Sequence, residues 1–173
     1  MNAMESMSKQ ELLAALRASG EETLATLHAL PPETFAVVRY HQGWTGRQIL
    51  AHVASIEWTY PRLIMLAERA ASPAATDTST DDGGDTRPAN GTDMDAYNAR
   101  QVAKRAHLSV AALLDEFARN RAATIAAVET VDEALLAVAI RSAGGYCGSL
   151  GTVMQRLAVG HVRDHVRDIV GAP

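Results

Sequence analysis

The sequence predicts an all-α protein, and three observations carry that prediction. Alanine and leucine dominate, no alternating apolar–polar pattern persists, and apolar residues recur at three- and four-residue spacing behind Ser and Thr caps. At 173 residues the chain is most simply one domain, 1–173, with 47% hydrophobic and 21% charged residues, ordinary for a soluble globular protein. A net charge of −4 argues against a general nucleic-acid binder, because phosphate affinity rests on an excess of Lys and Arg. The single cysteine, Cys147, excludes an internal disulfide and suits a reducing compartment. The polar N-terminus and the lack of a long apolar run lead us to expect a cytoplasmic protein with no membrane partner.

Helix one is expected over about residues 8–30. Ser8 and Glu11 form a capping box, Leu12, Leu13, Leu16, Leu24, Leu27 and Leu30 follow, and Pro31-Pro32 ends the run. An irregular connection leads to Gly43-Trp44, and Thr45-Gly46-Arg47-Gln48 is a second capping box that opens helix two. Its core stripe is Ile49, Val53, Ile56, Tyr60, Leu63, Ile64 and Ala67, with mid-helix Pro61 expected to kink the helix or remove one backbone hydrogen bond. His52 falls at the edge of that stripe, Glu57 off its centre and toward solvent, and Trp58 nearly opposite it.

From Ser72 to Asp93 the composition turns to Asp, Thr, Gly, Ser and Pro, so 72–93 reads as a mobile polar loop. Helix three, about 94–106, is polar. Ser109 caps helix four, whose stripe is Val110, Leu113, Leu114, Phe117, Thr124 and Val128. Arg121 falls in mid-stripe, where a charge needs an anionic partner or an outlet to solvent; the other reading makes it a ligand-binding group. Gly144-Gly145-Tyr146-Cys147-Gly148 is expected to be a flexible turn, and Ser149 opens helix five.

Helix five carries the chemistry. On a uniform wheel His161 and His165 join the face of Leu150, Met154, Leu157 and Ala158, with Asp168 beside them and Arg156, Arg163 and Arg167 on the far side. Two inward imidazoles are either hydrogen-bonded core residues or ligands of a divalent ion. His52, also near an inward face, would complete three ligands and leave an open position, the arrangement of a catalytic metal rather than a structural one. Asp168, or alternatively Asp164, is placed to orient a ligand histidine.

Gly43-Trp44-Thr45-Gly46-Arg47-Gln48-Ile49-Leu50-Ala51-His52-Val53-Ala54 resembles the W-S/T-x-x-x-x-L-x-H-L/V start of helix two in the DinB-like superfamily. That superfamily includes the N-terminal domain of mycothiol-dependent maleylpyruvate isomerases. Tyr97-Asn98-Ala99-Arg100 with Ser109, Leu113, Phe117 and Arg121 resembles its middle segment, and His161-x-x-x-His165 its remaining ligand pair. The resemblance covers roughly residues 8–170. It implies a four-helix bundle with a long crossover loop between helices two and three. It also implies a divalent metal, zinc or nickel, on His52, His161 and His165, and a transferase or isomerase using a low-molecular-weight thiol such as mycothiol or bacillithiol. A small-molecule substrate is expected, with Arg121 and Asp168 as catalytic candidates and Arg121 or Arg156 as candidates for holding an anionic substrate.

Two rival functions stay open at this point. The Ser8-Lys9-Gln10-Glu11-Leu12-Leu13 start with Trp44 also resembles the cyclopropane-hydrolase branch of such bundles, which implies a metal-free hydrolase or self-resistance protein. A non-enzymatic small-molecule-binding stress module is the other. Trp58 with Tyr60 reads either as a cover for a loop or as part of a homodimer patch. Cys147 is either an exposed thiol or a packing residue.

Overall fold

The computed structural model describes residues 7–39, 43–72 and 91–171, leaving aside the side chains of 91–93. All of the 72–93 loop except its ends therefore lies outside the described residues. The chain forms a helical bundle whose long members are α1 (Lys9–His28), the pair α2 (Gly46–Glu57) and α3 (Pro61–Ala71), α5 (Val110–Thr130), and a final continuous helix. The final helix has three parts: α6 (Leu150–Met154), a π-helical stretch Gln155–His161, and α7 (Val162–Val170). The expected polar helix three is α4 (Gly91–Lys104), laid against α2. No helix among the described residues is long and apolar enough to cross a membrane.

The caps read from the sequence are the caps that form. Ser8 and Glu11, and Thr45 and Gln48, each close reciprocal capping boxes, while Ser109 and Ser149 accept from the amides of Ala112 and Thr152. Pro61 differs from the expected kink. It occupies the first turn of a new helix, where its missing N–H costs nothing, and α2 ends at Glu57. The expected Gly-rich turn is also more ordered than predicted. Ala139–Arg141 (β1) and Cys147–Ser149 (β2) pair antiparallel, joined by residues 142–146 with Gly145 at φ 87°.

Helix α2 is the middle of the bundle, packed between α5, α7 and α4. Consequently almost all of its residues are buried, including Ile49 to Ser55 and Glu57. This overturns the solvent-facing placement of Glu57, which is 0% exposed. A helix with neighbours on several sides has no outer face for a wheel to find. Glu57 meets Arg121 of α5, itself 4% exposed, in a two-point pair: Nε to Oε1 at 2.6 Å and Nη2 to Oε2 at 3.0 Å. Arg121 also donates to the carbonyls of Leu16 (3.0 Å) and Ala158 (2.6 Å). Burial pushes the Glu57 carboxyl up, and the Arg121 guanidinium opposes it.

Room for the Arg121 stem comes from Gly20 of α1. A Cβ there would stand 3.1 Å from Arg121 Cγ, in a side chain pinned by four hydrogen bonds. Gly→Ala inside a helix ordinarily gains up to about 1 kcal/mol. Gly20→Ala is expected to lower the melting temperature instead; a clear rise on thermal unfolding would show that Arg121 yields freely.

A candidate metal centre at the base of a pocket

The last helix does not wind uniformly, and that sets the site. At about 100° per residue, Leu150, Val153 and Met154 of α6 and Val162, His165 and Ile169 of α7, all buried, face directions about 100° apart. A straight α-helix would turn one group out of the core. The π-helical stretch advances less per residue and takes up the difference, equivalent to one inserted residue. Two carbonyls of this stretch accept side-chain donors: Leu157 from the Tyr60 hydroxyl at 2.9 Å, and Ala158 from Arg121 at 2.6 Å. The winding leaves His165 central and 4% exposed, and moves His161 from mid-stripe to the flank.

That flank meets His52 of α2, which is 5% exposed. Ring centroids lie 4.4 Å apart for His161 and His165, 5.1 Å for His52 and His165, and 5.7 Å for His52 and His161. One ring nitrogen from each histidine lies within 4.8 Å of the other two, a set that could hold a metal ion. Trp44, just before the α2 cap, closes one side with its ring 5.4 Å from that of His52.

The three imidazoles are poised as neutral bases. Burial lowers His52 to about 3, with His165 and His161 adding repulsion against a second charge. Burial and His165 lower His161 to about 4, opposed by Asp164 and Asp168. Burial also lowers His165, while its hydrogen bond to Asp168 pulls the other way. That bond joins His165 Nδ1 to Asp168 Oδ2 at 3.0 Å, so Asp168 is the carboxylate that lies against the ring. Asp164 turns instead to Arg167, 3.2 Å away. His52 Nδ1 is buried and has no hydrogen-bond partner among the described residues.

The triad opens into a cavity of about 400 Å³. Ile56, Tyr60, Leu63, Leu66 and Leu157 give it apolar walls; Thr59, Arg62, Asp95, Asn98 and Ser142 add polar groups. Met94, Asp95 and Asn98 come from α4, and Ser142, Ala143, Gly144 and Tyr146 from the β1–β2 turn. Sequence reasoning selected Asn98 only as part of a motif. It missed Arg62 and the hairpin, whose approach to the site depends on tertiary packing. Arg62 lies 4.1 Å over the Trp58 ring, so that face of Trp58 is covered by its own chain. Arg121 does not line the cavity, since its donors are used within the bundle. Arg156 is exposed and lies 5.7 Å over the ring of Tyr146 at the cavity edge. Cys147 is exposed on β2 and is not a lining residue.

The protein is a helical bundle with three converging histidines beneath a pocket, and comparison with known proteins gives the family of the bundle. A model of the DinB superfamily matches residues 15–169, and the chain belongs to that superfamily. Comparison with curated proteins gives no match. Among solved structures, a mycothiol-dependent maleylpyruvate isomerase superposes with a TM-score of 0.69 at 16% identity, over 98% of this chain and 63% of that one. The chain thus spans less than two thirds of the isomerase's length. The colibactin self-resistance protein ClbS, in complex with double-stranded DNA, superposes with a TM-score of 0.61 at 13% identity, over 98% of this chain and 96% of that one. The DNA in that complex corrects the exclusion of nucleic acid drawn from net charge. A protein of this fold can engage DNA, and a total of −4 reports nothing of how charge is distributed locally.

Proposed function

We propose that the protein binds a divalent metal through His52, His161 and His165 and acts on a small molecule in the adjoining pocket, as a thiol-dependent transferase or isomerase. The observation that carries this reading is the convergence of three neutral imidazoles, two buried and one half-buried, one with an unpartnered nitrogen, at the base of a cavity. A metal ligand must offer a lone pair, and depressed histidine basicity keeps those lone pairs free of protons at neutral pH. Nitrogen ligands of this kind suit zinc or nickel. His52, His161 and His165 would hold the ion, which would supply Lewis-acid activation of a thiol or water.

The remaining work falls to the chain itself. Asp168 fixes the orientation of His165 through Nδ1, directing Nε2 away from the carboxylate. The apolar walls exclude water from the reacting groups, and Asn98 offers a donor to polar parts of a substrate. Both solved structures share the bundle, and the isomerase's mycothiol dependence is the basis for expecting a thiol here.

Elemental analysis of untagged protein is expected to find about one divalent ion per chain, and His161→Ala to lose it while remaining folded. Protein free of metal, and a His161→Ala variant indistinguishable from wild type, would defeat the reading. Activity that persists under exhaustive chelation would favour the metal-free hydrolase instead.

A further inference from the structure

The π-helical stretch is held from outside by two side chains on different elements. Tyr60, buried at the start of α3, donates to the Leu157 carbonyl, and Arg121 of α5 donates to that of Ala158. These carbonyls lie in the turns immediately before His161, the last residue of the stretch. We propose that Tyr60 and Arg121 are positioning residues for the histidine triad: they hold the last helix in its π winding and so set the direction from which His161 meets His52. The inference rests on the metal-binding reading, but it concerns how the rings are aimed.

The physical argument is one of competing windings. A π turn is rare because it gives up regular backbone hydrogen bonding, so it persists where its carbonyls find other donors or where packing demands it. Here both conditions hold. The α6 and α7 faces differ by about one residue's rotation, and side chains supply donors to successive carbonyls. If the stretch wound as an α-helix while α6 kept its packing, α7 would rotate by about 100°, carrying both histidines away from His52. Glu57 takes part indirectly, because its two-point grip on Arg121 fixes the guanidinium that reaches Ala158.

Tyr60→Phe removes one donor and keeps the ring. Arg121→Lys keeps the charge facing Glu57 but cannot span Glu57, Leu16 and Ala158 together. Val128→Ala, on α5 in the same core but with no hydrogen bond to the stretch, controls for lost packing alone. Cobalt(II) affinity and visible spectrum would be measured by titration. The histidine ring-nitrogen chemical shifts would be measured by NMR on the metal-free proteins. Both clamp variants are expected to bind cobalt roughly tenfold or more weakly, with altered spectra and shifted His161 ring signals, while Val128→Ala keeps wild-type values despite its lower melting temperature. Clamp variants with wild-type affinity and ring signals, or a control that changes equally, would overturn the inference. Wild-type protein that binds no cobalt would overturn the metal reading alone, since the ring signals of the metal-free proteins still decide the clamp.

Discussion

Glu57→Ala is expected to destabilise the protein by about 3–5 kcal/mol, because it leaves the Arg121 guanidinium buried without its counter-charge. Arg121 would keep two backbone carbonyls, which satisfy hydrogen bonds but do not neutralise a cation at 4% exposure. Glu57→Gln should fall between, since an amide oxygen still accepts while charge balance is lost. The double variant Glu57→Leu, Arg121→Met should cost less than Glu57→Ala, because a removed pair leaves no stranded charge. Denaturant titrations at neutral pH measure all three, with the midpoint moving at unchanged slope. A loss under about 1 kcal/mol for Glu57→Ala would mean that water reaches Arg121.

Acidification gives the second large effect. In the unfolded chain a histidine titrates near 6.5, whereas His52 and His161 in the fold titrate at about 3 and about 4. Between those values the unfolded chain binds protons that the folded one refuses, so stability rises with pH across the window. It is complete above about 6.5 and is lost as the pH falls. At pH 5 each of these two residues costs on the order of 2 kcal/mol, from about 1.36 kcal/mol for each pH unit below 6.5. His165 acts in the same direction, tempered by Asp168. Glu57, raised by burial, acts in the opposite one, since its contribution is retained at low pH and lost as pH rises. Chelator-treated protein should therefore unfold at much lower denaturant at pH 5 than at pH 7.5, and His52→Leu should flatten the profile. A midpoint independent of pH would contradict the burial of neutral imidazoles.

Much of the fold was legible because its signals are local. Ser8, Thr45, Ser109 and Ser149 mark helix starts whose hydrogen bonds span three residues, and all four form as read. The three histidines were legible because two share a turn and the third sits in a recognisable helix start. What was not legible depends on neighbours. Glu57 lies off a hydrophobic stripe and is buried because α5 presents an arginine to it. The π turn is invisible to a wheel that assumes a fixed step, although the mismatch between the α6 and α7 faces recorded it indirectly. From sequence Pro61 reads as lying in mid-helix, and the restart that it makes instead comes with the Tyr60 hydroxyl donating to Leu157 across the bundle. The hairpin strands, three residues each, are too short to show periodicity.

The burial of α2 on nearly every side has a consequence for how this architecture can diversify. The helix bearing His52 touches too many partners to accept change, so the triad is held by the part of the molecule least free to vary. The opposite walls of the cavity come from Met94, Asp95 and Asn98 of α4 and from the β1–β2 turn, none of them in the hydrophobic core. One scaffold can thus keep its three histidines together while exchanging the residues that line the other side of the cavity.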